Sequence, residues 1–182
     1  MTENKKLIIK NSYDLAKFNP NMRKELVLRG LNAITEVRDA NFYFFKGEEH
    51  RIKREYNEAI SYYEKALQID PEYKDAFFYL GWLYNKKGDY EKTIEAYQEV
   101  IRINPDYTYI HYNLGWAYGE LERYQEAVNA FKEAVKQNPE DADFHYSLGW
   151  AYSQLKDYEK AVESFKQALR IKPDYTFAHY SM

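Results

Sequence analysis

Tyr112-Asn-Leu-Gly-Trp-Ala-Tyr118 is the stretch of the sequence that decides its fold. The pattern returns 34 residues later, at residues 146–152, and it also occurs 34 residues earlier, at residues 78–84. In each copy a glycine is followed directly by a tryptophan. A fixed period of this length indicates one supersecondary unit that is copied several times along the chain.

The period divides most of the chain into repeats that each end near a proline. Proline cannot continue a helix and disfavours helical conformation in the residue before it, so each of these prolines ends a helix. Inside the second repeat we predict one helix at residues 75–87 and another at residues 90–104, the latter with apolar residues at helical spacing. The full repeats are predicted at 40–73, 74–107, 108–141 and 142–175, followed by a partial repeat at 176–182.

Residues 1–39 carry no repeat signal and are predicted to form an N-terminal arm and a capping helix. Asn19 and Pro20 suit the N-cap and the first position of a helix that is expected to run to about Val37. This segment carries eight basic and five acidic side chains, whereas the rest of the chain carries 18 basic and 24 acidic ones. Its basic charge would also suit an arm that docks on the acidic repeats.

The composition argues against several classes of protein. A surface that follows nucleic-acid phosphates needs an excess of basic residues, so the acidic repeats are not expected to bind nucleic acid. No segment approaches the roughly 18 apolar residues of a membrane span, and the apolar run at residues 7–9 is too short for a secretory signal. We therefore expect a cytoplasmic protein without a membrane partner. The absence of cysteine excludes disulfides and thiolate chemistry.

Side chains of fixed type recur at eight positions of the repeats. In the third repeat they are His111, Leu114, Gly115, Tyr118, Ala127, Phe131, Ala134 and Pro139. In the fourth they are His145, Leu148, Gly149, Tyr152, Ala161, Phe165, Ala168 and Pro173. The second repeat departs from the pattern at Thr93 and Val100, and the degenerate first repeat departs at Lys46 and His50. This pattern resembles that of the tetratricopeptide repeat (TPR) family.

The resemblance implies an all-α fold, a right-handed superhelical solenoid of antiparallel helix pairs, with the first helix of each pair lining a concave surface. It also implies that the chain binds partner proteins and is not an enzyme, with no cofactor and no metal. A physical reason for the pattern is independent of the family. Glycine and alanine let the paired helices approach closely, while leucine, tyrosine and the later aromatic residue fill the space between them.

The first helix of each repeat is apolar on two faces. On a helical wheel its fourth, seventh, eighth and eleventh residues meet the second helix, whereas its second, fifth and ninth residues point away from that helix. A contiguous aromatic patch on a surface typically marks a binding site. We therefore expect a partner-binding groove formed by Phe44, Phe78, Trp82, Tyr109, Tyr112, Trp116, Tyr146, Trp150 and Tyr180.

Packing between neighbouring first helices is the alternative role for these aromatic side chains. We favour it for the fifth residue of the repeat, where the TPR family commonly has an aromatic side chain. We do not favour it for the tryptophans at the ninth position, because the family usually has a small or polar residue there. The carboxylate clamp that some family members form from basic and asparagine side chains is not expected, since the central positions are aromatic.

His111, His145 and His179 recur with the period, and this raises the question of a metal site. Neighbouring repeats lie roughly 10 Å apart, as packed helices do, whereas a zinc ion needs ligands at about 2 Å. These histidines also stand where the TPR family has an aromatic side chain, so we expect a structural role for them. No glycine-rich phosphate loop and no nucleophile–base pair is evident in the sequence.

Three functions follow as hypotheses. The leading one is a non-enzymatic interaction scaffold that binds a segment of a protein or peptide partner in the aromatic groove. The alternatives are carbohydrate or hydrophobic small-ligand binding on the same residues, and a homo-oligomeric scaffold. Residues 175–182 match residues 107–114 up to Met182, so the chain reads either as a fragment of a longer repeat protein or as one with a natural short end. We expect self-association through this C-terminal end or through the groove.

Overall fold

The computed structural model describes residues 39–181, apart from the side chains of Thr108 and Tyr180. These residues form α-helices joined by short turns, and no strand occurs among them. The helix predicted between Pro20 and Val37, together with the arm before it, lies outside the described residues. In the described ranges no helix is both long and apolar enough to cross a bilayer.

The chain divides into two compact units, the first ending at Pro71 and the second beginning at Glu72. The described part of the first unit is one antiparallel helix pair, α1 (Ala40–Ile52) and α2 (Tyr56–Ile69). This pair corresponds to the first predicted repeat.

Helix α1 begins at a side-chain cap and packs closely on α2. The Asp39 carboxylate accepts a hydrogen bond of 2.8 Å from the backbone N–H of Phe42, which satisfies one of the free donors at the helix start. Gly47 lies against the ring of Tyr63, where a Cβ atom would be only 2.5 Å from Cε1. Phe44 is buried and its ring centroid lies 5.6 Å from that of Tyr63.

The second unit contains three further helix pairs and a short final helix. They are α3 (Lys74–Lys87), α4 (Tyr90–Ile103), α5 (Thr108–Glu120), α6 (Tyr124–Gln137), α7 (Ala142–Gln154), α8 (Tyr158–Ile171) and α9 (Thr176–Tyr180). The bounds predicted for the second repeat, 75–87 and 90–104, each differ from α3 and α4 by one residue at one end.

In the second unit, each turn between the two helices of a pair contains one residue in the left-handed region. Gly88 has φ of 75°, Glu122 of 56° and Lys156 of 62°. Glycine adopts this conformation without the clash that a Cβ atom causes. In the second and fourth repeats the next residue, Asp89 or Asp157, accepts a hydrogen bond from the backbone N–H three residues further on. The turn and the cap together fix where the second helix begins.

A glycine of each first helix lies against an aromatic ring of its second helix. A Cβ atom on Gly115 would lie 2.4 Å from Cε1 of Phe131, a distance that real Cβ atoms do not show. Ala127 and Ala134 on the same second helix are fully buried. The close approach that the sequence predicts for the paired helices is therefore confirmed. The other glycine–ring pairs of this unit are Gly81 with Tyr97 and Gly149 with Phe165.

Successive helix pairs of the second unit pack on one another. Helix α4 contacts α5, α6 contacts α7, and α8 contacts α9. One core cluster contains residues of both the third and the fourth repeat, including Phe131, Leu148, Ala151 and Phe165. Helices of this length are marginal on their own, so the shared core between repeats stabilises them.

Candidate partner-binding site

Two of the three tryptophans lie against each other. The ring centroids of Trp116 on α5 and Trp150 on α7 are 4.8 Å apart, with the ring planes at 36°. Both side chains are partly buried against the core of the third and fourth repeats. Gly119 makes room for the second indole, because a Cβ atom there would lie 2.7 Å from Cη2 of Trp150. The tryptophan pair is therefore built into the junction between two repeats, and part of its surface stays open.

The expectation that the fifth and ninth residues point away from the second helix is wrong in the third repeat. The ring centroids of Tyr112 and Trp116 lie 6.0 Å and 5.5 Å from that of Phe131 on α6. Because Gly115 has no side chain, the Phe131 ring extends across α5 and reaches the residues on the far side. The fifth residue does the same in the other repeats, with ring separations of 5.6 Å for Phe44–Tyr63, 6.3 Å for Phe78–Tyr97 and 5.6 Å for Tyr146–Phe165.

The tyrosines at the fifth position also contact the next repeat. The Tyr112 and Phe144 ring centroids are 5.1 Å apart, which joins α5 to the neighbouring first helix α7. The Tyr146 ring lies 6.2 Å from that of Phe177 in the partial repeat, and 5.3 Å from that of Tyr175 at the end of its own repeat. Both tyrosines are only partly buried. They therefore pack against neighbouring rings while part of their surface stays accessible.

The second position of the repeat carries more exposed aromatic side chains. Tyr109 at the start of α5 is 57% exposed, and its ring centroid lies 5.7 Å from that of Phe144. Phe177, two repeats later at the same position, is 65% exposed. Exposed rings that are fixed by contact with a neighbouring ring are well suited to recognition.

A shallow cavity of about 430 Å³ lies beside Tyr109. It is lined by Phe78, Asn104, Asp106, Tyr107 and Tyr109. The Phe78 and Tyr107 ring centroids are 5.5 Å apart. The structure therefore brings two of the predicted groove residues, Phe78 and Tyr109, to the wall of one cavity.

Tyr107 and Tyr175, the last residues of their repeats, belong to this surface but were not among the predicted groove residues. Burial, and then the nearby Asp75 carboxylate, raise the pKa of Tyr107. Burial likewise raises the pKa of Tyr175, whose hydroxyl also donates a hydrogen bond to the Asp143 carboxylate. A signal was present in the sequence, because tyrosine occupies the last position of three repeats, Tyr73 included.

The remaining predicted residues lie in three different settings. Trp82 on α3 is partly buried, and the Nζ atom of Lys86 lies 5.6 Å from the centroid of its ring. Phe44 belongs to the first unit and is buried there. In that unit the ninth position is Glu48, which accepts hydrogen bonds from an arginine and a tyrosine side chain. The side chain of Tyr180 lies outside the described part of the chain.

The recurring histidines make local structural contacts. The Nε2 atom of His145 donates to the carbonyl oxygen of Pro139 at 2.8 Å, and His179 makes the same bond to Pro173. Burial lowers the pKa of His111, which favours its neutral form. Within residues 39–181 no cluster of three or more histidine or carboxylate side chains is placed to hold a metal ion.

Four models of the tetratricopeptide repeat match the chain. Their matches cover residues 40–73, 62–95, 81–121 and 112–176, so that together they extend without a gap over every full repeat. The chain belongs to the tetratricopeptide repeat family. A search of curated proteins gave no significant match.

Solved TPR structures have the same fold. A crystal structure of MamA is 29% identical, with 74% of this chain and 79% of that chain covered and a TM-score of 0.72. The crystal structure of YrrB, described as a TPR protein with an unusual peptide-binding site, is 25% identical, with 93% and 87% covered and a TM-score of 0.77. MamA 41-end from Desulfovibrio magneticus RS-1 is 24% identical, with 97% and 99% covered and a TM-score of 0.73.

The predicted family and the predicted all-α TPR solenoid are therefore confirmed. The chain is a TPR-type repeat scaffold. Proteins of this family generally mediate protein–protein interactions and are generally not enzymes.

Proposed function

We propose that the chain binds an extended or helical segment of a partner protein on the first helices α3, α5 and α7. The observation that carries this proposal is a connected set of aromatic rings on that side of the second unit. Ring contacts run from Tyr109 through Phe144, Tyr112 and Trp116 to Trp150, with centroid separations of 5.7, 5.1, 6.3 and 4.8 Å. We call the accessible members of this set, Tyr109, Tyr112, Trp116 and Trp150, the aromatic surface.

The aromatic surface is suited to binding because its rings are already held in place. Trp116 contacts Phe131 of the core, and Trp150 lies in the space that Gly119 leaves open. Side chains that are fixed before binding lose little conformational entropy when a partner arrives. Tryptophan and tyrosine are also the residue types that most often carry the binding energy of an interface.

YrrB supports a peptide as the partner, because it is a TPR protein with a peptide-binding site and superposes on this chain with a TM-score of 0.77. The geometry of the tryptophans argues against the carbohydrate alternative. A sugar ring that stacks on tryptophan needs an open indole face, and the contact between Trp116 and Trp150, whose centroids are 4.8 Å apart, reduces the indole area that is open. The proposed partner is therefore a protein segment with apolar side chains.

Selection of short random peptides displayed on phage, with the whole chain as the bait, tests this proposal. We expect selected peptides to lose affinity for Tyr109→Ala by about fivefold or more, the effect of removing an interface residue that contributes over 1 kcal/mol. Tyr158→Ala is the matched control, because Tyr158 is a 63% exposed tyrosine on α8, away from the first helices. Peptides that bind both variants equally well would refute the proposal.

The homo-oligomeric alternative predicts a different outcome in solution. If copies of the chain cover the aromatic surface themselves, sedimentation equilibrium will show self-association that Tyr109→Ala weakens and Tyr158→Ala does not. Selected peptides would then compete with self-association. A monomer over the whole concentration range, together with peptide binding that depends on Tyr109, supports the peptide-binding function alone.

A further inference from the structure

We propose that the cavity beside Tyr109 binds a basic side chain, arginine or lysine, of the partner segment. This inference rests on the proposed function and names the chemistry of one partner residue. The cavity is lined by Phe78, Asn104, Asp106, Tyr107 and Tyr109, and its volume is about 430 Å³. A guanidinium or ammonium group is attracted both to the faces of aromatic rings and to a carboxylate, and this cavity offers both.

Three rings form the apolar part of the cavity wall. The Phe78 and Tyr107 rings are 5.5 Å apart with their planes at 43°, so they form a corner rather than a closed stack. Tyr109 is 57% exposed and forms a further part of the wall. Each ring face carries partial negative charge, and several faces around one space attract a cation more strongly than a single exposed ring does.

Asp106 supplies a negative charge at the rim of the same cavity. Its side chain is exposed, and no lysine or arginine in the described part of the chain forms an ion pair with it. Asp75 adds a second carboxylate near Tyr107, as its effect on the pKa of that phenol indicates after the larger effect of burial. The two carboxylates beside the rings favour a basic ligand, and the Lys74 ammonium group next to Tyr107 offsets part of that preference.

Lys74 is the one basic side chain that the structure places against these rings within residues 39–181. Its Nζ atom lies 5.6 Å from the centroid of Tyr107. An ammonium group can therefore lie over this ring. It also means that a partner cation enters beside Lys74, where the two like charges repel each other.

The equivalent place two repeats later contains a cation from the chain itself. Lys172 occupies the position of Asn104 in the repeat, and its Nζ atom lies 5.2 Å from the ring centroid of Tyr175. Tyr175 is in turn the equivalent of Tyr107. The later copy therefore takes its cation from residue 172, whereas in the earlier copy the cation over the ring is Lys74 and Asn104 lines the cavity.

A pair of isosteric probes tests this proposal on the whole chain. N-acetyl-arginine methylamide carries the charge, and N-acetyl-citrulline methylamide has nearly the same shape without it. Binding is followed by NMR of ring-¹³C-labelled tyrosine, with the Tyr109 signal assigned from Tyr109→Phe. We expect the arginine probe to shift the Tyr109 signal and to bind about two- to fivefold more tightly than the citrulline probe. Equal affinity of the two probes would overturn the proposal.

Three variants locate the site. Asp106→Asn is expected to lower the affinity for the arginine probe by up to about fivefold. The affinity for the citrulline probe is expected to stay the same. Asp174→Asn is the matched control, since Asp174 is an exposed aspartate at the same position two repeats later. Lys74→Met is expected to strengthen binding of the arginine probe by removing a competing charge. Equal effects of the two aspartate variants, or weaker binding to Lys74→Met, would contradict the site.

The selected peptides separate a failure of this proposal from a failure of the proposed function. Peptides that need Tyr109 and contain an arginine or lysine whose replacement by alanine weakens binding support both. Peptides that need Tyr109 but contain no such basic residue overturn the basic-residue site and leave the proposed function standing. Peptides that bind independently of Tyr109 overturn both.

Discussion

The ring of Phe131 occupies the space next to Gly115 that a side chain at this position would fill. A methyl group there would be 2.4 Å from Cε1 of the ring, and the ring is fully buried and cannot move aside freely. Gly115→Ala is therefore expected to lower the free energy of unfolding by about 1–3 kcal/mol, the usual cost of overpacking a core. Urea denaturation followed by circular dichroism measures this change, and a variant as stable as the parent chain would contradict the account.

Gly88 provides the contrasting case of a glycine that is needed for its backbone conformation alone. Its φ is 75°, and a Cβ atom there would meet nothing within 4 Å. Gly88→Ala is expected to lower the free energy of unfolding by about 1–2 kcal/mol, because alanine is strained in the left-handed backbone conformation. Because no ring is displaced, its near-UV circular dichroism should match that of the parent chain, whereas the spectrum of Gly115→Ala should change.

Gly119 determines where the indole of Trp150 lies. A Cβ atom at this position would be 2.7 Å from Cη2 of that ring, so Gly119→Ala should push Trp150 away from Trp116. We expect the near-UV circular dichroism of the tryptophans to change and selected peptides to bind more weakly. Alanine is a better helix former than glycine by about 1 kcal/mol, which offsets part of the stability lost. An unchanged tryptophan spectrum would contradict the described packing.

Single residues show which contacts the sequence could predict. The role of Gly115 could be predicted because glycine recurs at that position in every repeat, opposite an aromatic residue of the second helix. The packing of Trp150 could not, because it depends on Gly119, and the equivalent residue of the next repeat is Ser153. A helical wheel describes one helix, whereas this contact joins α5 to α7.

Helix α5 carries a partly buried histidine, His111, whose pKa is lowered by that burial. Burial lowers the pKa of His111 below 6.5 in the folded state, so the unfolded chain binds the proton more readily. Its contribution to stability is therefore present above pH 6.5 and is lost as the pH falls below that value. His111→Phe, which places the aromatic residue of the TPR family there, is expected to remove this loss.

The measurement is the free energy of unfolding of the parent chain and of His111→Phe at about pH 8 and about pH 5. We expect the free energy of unfolding of His111→Phe to exceed that of the parent chain by more at about pH 5 than at about pH 8. An advantage that does not change with pH would show that His111 titrates in the folded chain as it does in the unfolded one.

The two helices of the second repeat could be predicted almost to the residue, because a proline and the fixed period mark where the repeat ends. Tyr107 and Tyr175 were missed because they lie in the turns before α5 and α9, where helical periodicity gives no information. Their contacts with Phe78 and Tyr146 form only when the next helix turns back on the previous pair. A recurring turn residue of large size is therefore a signal to follow in repeat sequences.

The charge of the whole repeat region should govern how a basic partner binds. Residues 40–182 carry 18 basic and 24 acidic side chains, so a basic peptide approaches a surface of opposite charge. Raising the salt concentration from about 0.05 M to about 0.5 M shortens the screening length severalfold and should slow association more than it speeds dissociation. Stopped-flow kinetics of a selected basic peptide tests this, and an association rate independent of salt would contradict it.

The period alone does not show the division of the chain into two units. The repeats run through Pro71 without a change of spacing, yet the first compact unit ends at that residue. Compactness depends on contacts between helices rather than on sequence spacing. The first repeat is also the degenerate one, since Lys46 and His50 stand in place of leucine and tyrosine. All three tryptophans lie in the second unit, so tryptophan fluorescence reports on that unit.

Photo-crosslinking of a selected peptide tests most directly the claim that partners bind on the first helices. The peptide carries a photoreactive benzoylphenylalanine, and mass spectrometry identifies the residues of the whole chain to which it attaches. We expect attachment on α3, α5 and α7, concentrated around Tyr109, Tyr112 and Trp116, with little attachment in Tyr109→Ala. Attachment mainly on α4, α6 and α8, unchanged in that variant, would contradict it.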